Sequence, residues 1–305
     1  MASQAIELPI LLESTFPSLP DDGGKWRRWL AMGISLALLL AIALRVQTFG
    51  FEEALSVLPR TPAFWVTFAA YYLALPGSEW IIFRRLWRLP ASGFVALIRK
   101  LVSNEILLGY SGEVYFYTWA RRHAELTAAP FGAIKDVSIL SALAGNVFTL
   151  AMCCLAWPFL ATLAPSIPGR AVLESATIIL ALSVVTLYFR NRLFSLEARQ
   201  LRAIFGVHIA RLLATTFLAG MLWHFALPET PLAMLLLLAT LQLLVTRLPL
   251  IPSKDLVFAN LAVLLVGNGG DLSMAITMIA SAIIVTHLLL GSVLLLPDLF
   301  SKEKS

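Results

Sequence analysis

Apolar residues run through this chain in long unbroken stretches, and polar residues gather in the short segments between them. Six stretches, about 29–48, 63–83, 137–163, 171–189, 203–227 and 272–296, look able to span a membrane, and the best of them are apolar all round rather than striped. A helix rises 1.5 Å per residue, so about 20 such residues cross a ~30 Å hydrocarbon layer. A helix of a soluble domain needs a polar face for water, and the best of these stretches have none. They predict six full transmembrane helices. Two further regions break the pattern. Residues 94–120 contain Arg99, Lys100, Asn104, Glu105 and Glu113, and are interrupted from Leu108 to Gly112. Residues 232–266 form two apolar arms around a segment from Arg247 to Asp255, in which Pro249 and Pro252 stop a helix.

The basic residues decide how these two regions sit. Lys25, Arg27 and Arg28 precede the first span; Arg84, Arg85, Arg88, Arg99 and Lys100 follow the second. Arg190, Arg192, Arg199 and Arg202 follow the fourth, and Lys302 and Lys304 end the chain. The connections 228–231 and 267–271 contain no basic residue. Basic loops face the cytoplasm. All these segments comply if 94–120 dips in from the cytoplasm and returns, and 232–266 does the same from the opposite face. Making either region a single span would place a basic segment outside. Two re-entrant helical hairpins are therefore expected.

An internal repeat follows. Ser111, Glu113, Val114 and Phe116 recur, at one constant offset, as Ser253, Asp255, Leu256 and Phe258. The same offset carries the first span onto the fourth and the second onto the fifth. The third falls on the last with a short lag, which a shorter loop explains. Each half reads span, span, hairpin, span, and the halves enter from opposite faces. The expected fold is an all-α polytopic membrane protein with an inverted-topology repeat, an architecture common among secondary transporters. Residues 1–24 form a cytoplasmic tail, 25–297 one transmembrane domain with halves of about 25–165 and 166–297, and 298–305 a second cytoplasmic tail.

Composition agrees. Of 305 residues, 59% are hydrophobic and 13% charged, about half the ~25% charge of a soluble domain. The net charge of +5 does not indicate nucleic acid, because the basic residues are confined to the connections. Glu7, Glu13, Asp21 and Asp22 mark the first 24 residues as a tail rather than a cleaved signal. Cys153 and Cys154, adjacent in an apolar run, are packing or lipid-facing residues. The four histidines lack ligand spacing, so no metal is expected. No glycine-rich phosphate loop or serine nucleophile elbow is present, and no cofactor is expected. Trp26, Trp29, Trp65, Trp80 and Trp87 lie near span ends and read as interface anchors.

The candidate chemistry lies at the hairpins. Broken backbone inside a membrane persists only where protein or water satisfies it, and an ionised residue at the centre costs about 2.5–3.5 kcal/mol. Glu113 sits at the first tip; Arg247, Lys254 and Asp255 flank the second. Arg247 and Lys254 are expected to hold a phosphate or other anionic headgroup. Glu113 and Asp255 would pair with a cationic headgroup or carry a coupling proton. The competing reading is that both acids pair with nearby cations and simply hold the hairpins together. Arg211, one turn from His208, is a weaker binding candidate that snorkelling to the interface explains equally well. Asn104 and Glu105 either line a cavity or pack the hairpin. Glu79 is expected to pair with Arg84 or Arg85, Lys135 and Asp136 to sit at an interface ahead of the third span, and Asn146 to bridge helices.

The run from Gly109 to Glu113, then Arg121 and Arg122, then Ile251, Pro252 and Ser253 before a last apolar span, resembles the transmembrane region of lysylphosphatidylglycerol synthase. Its stand-alone relatives include the flippase part of the bacterial multiple peptide resistance factor. The resemblance covers roughly residues 25–297. It implies a bacterial inner-membrane protein, N- and C-termini cytoplasmic, that moves or binds polar lipids through two re-entrant hairpins. Glu113 would match the acid of the family's Gly-Glu motif, and Pro252 the proline opening its second hairpin. The chain departs from the pattern at Ser253, Lys254 and Asp255, where the family often has glycines and a later glutamate. It departs again at Tyr115 and Phe116, where an arginine is usual. No soluble aminoacyl-transfer domain is present, so synthase activity is not expected.

The function expected is transport of a polar or anionic lipid or lipid-like solute by alternating access, with membrane lipids as partners. A homo-oligomer or a separate lipid-modifying enzyme is left open as a protein partner. The alternatives are a membrane-embedded transferase with Glu113 or Asp255 as base, and a non-catalytic scaffold for another membrane protein.

Overall fold

The structure is a computed structural model that describes residues 59–106, 111–123, 130–163, 169–246, 258 and 271–300. The expected first span, Arg247, Lys254 and Asp255 lie outside the described residues. Within them the chain is all-helical, with nine helices. These are α1 (Pro62–Trp87), α2 (Ser92–Ile106), α3 (Ser111–His123), α4 (Pro130–Leu163), α5 (Gly169–Tyr188), α6 (Arg190–Leu193), α7 (Ala198–Ala226), α8 (Leu232–Thr246) and α9 (Asp271–Phe300). Pro62 opens α1, where a missing N–H costs nothing. Arg88 closes it in the left-handed region at φ 48°, its N–H donating to Arg84 O at 3.0 Å. At the start of α7, Glu197 N–H donates to Gln200 Oε1 at 3.2 Å.

Region 94–120 folds as an antiparallel helical pair. Gly93 of α2 lies beside Trp119 of α3, the Arg99 guanidinium stands over the Tyr115 ring at 4.7 Å, and Lys100 meets Glu113. The pair packs on α1 through α2 and on α4 through α3. Helix α1 also packs along α7, and α4 along α5 and α7.

Contacts between helices recur at the offset read from the sequence. The shift that takes Ser111 to Ser253 carries α1 onto α7 and α2 onto α8. The α1–α2 contact then has its counterpart in α7–α8, and α2–α9 in α8–α4. The lag in the third span disappears because α4 begins at Pro130 rather than at 137: position 130 maps to 272, and α9 begins at Asp271. The correspondence is incomplete. Helix α4 packs along much of α7, whereas α1 and α9 meet more sparingly, through Tyr72 and His287.

Buried apolar side chains form two clusters. One joins Phe64, Phe68 and Tyr72 of α1 to Leu212, Leu222 and Trp223 of α7, with Leu238 of α8 and Ile276, Ile279 and Ile283 of α9. The other joins Phe83 and Trp87 of α1 to Leu97 of α2, Phe116 of α3 and Val137 of α4. Trp87 is therefore not an interface anchor. It is 1% exposed, stacked on Phe83 at 4.9 Å and on Phe116 at 6.5 Å, because α3 lies over it.

Among the described residues, two helices are long and apolar enough to cross a membrane, at Phe131–Pro158 and Ala198–Ala226. Large apolar side chains also point outward along α5, among them Leu173, Ile178, Leu180, Leu182, Val184 and Leu187.

The early start of α4 also corrects the placement of Lys135 and Asp136, which lie inside that helix rather than ahead of it. Asp136 is fully buried, and its Oδ2 accepts from the backbone N–H groups of Ser195 at 2.6 Å and Leu196 at 2.8 Å. It fastens the first turns of α4 to the segment that leads into α7. Asp136→Ala removes both hydrogen bonds to a charged acceptor, each worth about 1.5–3 kcal/mol and less where water can replace it. The thermal unfolding midpoint of the purified protein is expected to fall by several degrees, and Asp136→Asn to recover part of the loss. An unchanged midpoint in Asp136→Ala would remove this fastening from the fold.

Candidate functional site

Where the two apolar clusters meet, the helices turn charged and polar side chains inward. On α1, Glu79 lies between Tyr72 and Leu75 on one side and Ile82 and Phe83 on the other. On α2, Lys100 lies between Leu97 and Leu101; on α4, Ser141 lies between Leu140 and Ala144. On α7, His208 and Arg211 lie between Ile204 and Leu212, with Arg211 beside Leu212. Each helix thus contributes polar groups at the same level, and together they form a layer between two greasy blocks.

Lys100 is the centre of this layer. Its Nζ donates to Glu79 Oε1 at 2.5 Å and lies 3.3 Å from Glu113 Oε1. The side chains of Lys100 and Glu79 are 5% and 9% exposed; that of Glu113 is 19% exposed, making it the most open of the three. The other carboxylate oxygen of Glu113, Oε2, is buried and has no hydrogen-bond partner among the described residues. Arg211 sends Nη2 to Ser141 Oγ at 3.4 Å and lies within electrostatic reach of Glu79. His208 is fully buried next to it, with the Val137 backbone facing its ring.

The α2–α3 pair is built to bring these groups together. Gly112 N–H donates to Asn104 Oδ1 at 2.7 Å, and Ser111 Oγ donates to Ser103 O at 2.9 Å. Both tie the start of α3, where backbone donors lack partners within the helix, to α2. A Cβ at Gly112 would collide with the backbone carbonyl of Lys100, standing 2.8 Å from its carbon and closer still to its oxygen. Only glycine lets α3 approach α2 this closely, and that approach sets Glu113 against the Lys100 ammonium.

A second polar group borders the layer on the side of the larger cluster. Tyr72 Oη lies 2.7 Å from His287 Nδ1 of α9, and Gln242 of α8 donates to Tyr71 Oη at 3.1 Å. The charge of Glu105 on α2 acts on Tyr72.

The chain matches no protein-family model, no curated protein and no solved structure. Its own geometry must carry the reading.

Of the residues singled out in the sequence, Glu113 and Arg211 belong to this layer and Glu105 lies beside it. Glu79 does not take Arg84 or Arg85 as partner: Arg84 stands over the Trp80 ring at 4.8 Å, and Glu79 turns inward to Lys100. Asn104 packs the hairpin through Gly112. Asn146 bridges helices, Nδ2 donating to Ser183 Oγ of α5 at 3.1 Å. Among the described residues no cluster of histidine, cysteine, aspartate or glutamate is grouped to hold a metal ion.

Sequence reasoning missed Lys100, which it counted only as a topology signal. A clue was present, since Lys100, Ser103 and Asn104 share one helix face by their spacings of three and four. Gly112→Ala is expected to force the hairpin open. Overpacking typically costs about 1–3 kcal/mol, and here backbone opposes the new methyl. Thermal unfolding should report a clear loss for Gly112→Ala and little change for Gly77→Ala, where nothing stands within 4 Å of a Cβ. Equal midpoints for the two variants would contradict the close approach.

Proposed function

We propose that this protein is a membrane-embedded carrier that moves a polar or anionic lipid, or a lipid-like solute, between leaflets by alternating access. The observation that carries the reading is the charged layer of Glu79, Lys100, Glu113 and Arg211, buried between two apolar clusters in an all-helical protein. Charge held at such depth is costly, and inside a membrane it is by default functional.

Three further observations support the reading. The two membrane-length windows are 44% and 22% buried among the described residues, so less than half of each is enclosed, whereas the core helix of a soluble protein is mostly buried. The outward apolar residues of α5 give lipid a surface to cover. The recurrence of helix contacts at the Ser111-to-Ser253 shift suits an inverted-topology repeat of six full spans with two re-entrant hairpins. In this reading α2 and α3 form the first hairpin, and α8 is the first arm of the second. Arg247, Lys254 and Asp255, which lie outside the described residues, are the sequence's candidates for the rest of the headgroup site. The resemblance to the lysylphosphatidylglycerol synthase transmembrane region favours a bacterial inner membrane with both termini in the cytoplasm.

The test is leaflet exchange of fluorescent anionic and zwitterionic lipids in proteoliposomes. The wild type is expected to exchange lipid above protein-free vesicles. Glu113→Gln and Arg247→Ala are each expected to reduce exchange to that background while purifying as well-folded protein. Wild-type protein that is folded and exchanges no lipid would end the proposal. Loss of folding in both variants would support a purely structural role for the charges.

A further inference from the structure

Lys100 has a geometry that an ordinary buried ion pair does not need. It is one ammonium between two carboxylates, close to Glu79 at 2.5 Å and farther from Glu113 at 3.3 Å. The three groups together carry one excess negative charge, and Glu113 Oε2 is a buried acceptor with no donor among the described residues. The other cation of the layer, Arg211, is directed to Ser141 and towards Glu79.

A buried ion triad is a poor device for stability, since well-packed apolar side chains of equal volume often do as well or better. The position lies between Leu97 and Leu101, both buried, where an apolar residue would extend the cluster. What the lysine provides instead is a compact, strongly hydrated point charge on a flexible stem. It presents that charge to carboxylate oxygens, the ligand type that hard metal cations also select. The stem is anchored where it leaves α2, because the Lys100 backbone carbonyl is the group against which Gly112 packs.

We infer that Glu79 and Glu113 form a monovalent-cation site whose occupant is the protein's own Lys100 ammonium. Lys100 takes the place a free Na+, K+ or small ammonium ion would fill. In the proposed carrier it removes the need for such an ion, and that link alone rests on the transport reading. The looser Glu113 contact is the side from which the ammonium parts, because Glu113 is the more distant and the more exposed partner.

The inference predicts that truncating Lys100 turns an ion-indifferent protein into an ion-responsive one. Full-length wild type, Lys100→Ala and Lys100→Ser would be purified in choline buffer. Each would be titrated with NaCl, KCl and methylammonium chloride at constant ionic strength, with thermal unfolding as the readout. The wild type is expected to give the same midpoint in all buffers. Lys100→Ala or Lys100→Ser is expected to show a saturable rise of several degrees with at least one cation. Adding Glu79→Gln and Glu113→Gln should abolish that rise. A saturable response in the wild type would overturn the inference, as would flat titrations in both truncated variants. Rescue by lowering the pH alone would also overturn it, since the carboxylates would then be taking protons rather than a cation. If neither variant accumulates in cells, which contain Na+ and K+, free ions cannot replace the ammonium and the inference falls. Because the readout is stability, failure here leaves lipid exchange untouched, and failure of exchange leaves the cation site standing.

Discussion

One ammonium shared by two carboxylates organises the described part of this protein. Removing an ion from water costs several kcal/mol even after the surroundings relax, and only close, well-directed partners return that energy. Lys100 has two such partners, on two different helices. Glu79 brings in α1 and Glu113 brings in α3, so three helices are fixed relative to each other by a single side chain. The contact at Glu113 requires α3 to lie almost on the α2 backbone. Gly112 permits this, and the Asn104 and Ser103 hydrogen bonds hold it.

The placement of this triad matters as much as its strength. Apolar packing does not distinguish one register of two greasy surfaces from another as sharply as a buried charge does. The two apolar clusters supply the bulk of the contact, while the polar layer between them specifies the alignment of α1, α2, α4 and α7. Breaking one charged contact leaves an uncompensated ion, so the layer resists small displacements and yields only to a partner of matching charge. The proposed carrier would need that property: stable when closed, and responsive to a ligand that competes for the same groups.

In the proposed repeat, the two halves use their equivalent positions differently. At the offset between the halves, Glu113 corresponds to Asp255, Glu105 to Arg247 and Lys100 to Gln242. Lys100 and Gln242 both reach α1, the first at Glu79 and the second at Tyr71. Helix α1 therefore collects polar contacts from both halves, with Tyr71, Tyr72 and Glu79 on its length, while its counterpart α7 offers Arg211 and His208. A repeat that keeps helix positions while exchanging charged for neutral groups gives each half different chemistry on a common scaffold.

The helical character of the described residues was legible in the chain, because long apolar runs without a polar stripe favour helices. Glu113 was also conspicuous in the sequence, since glycine next to an acid in an apolar region stands out locally. The sequence could not determine partners. Glu79 has arginines five and six positions away, and nothing local shows that it turns instead to Lys100 on the next helix. Lys100 reads equally well as a loop charge, and Trp87 as an interface anchor, until α3 is laid across them. Asp136 likewise needed the segment at Ser195 to give its burial a purpose. Helix formation is governed by neighbours in the chain, whereas ion pairing and burial depend on which helices meet in space.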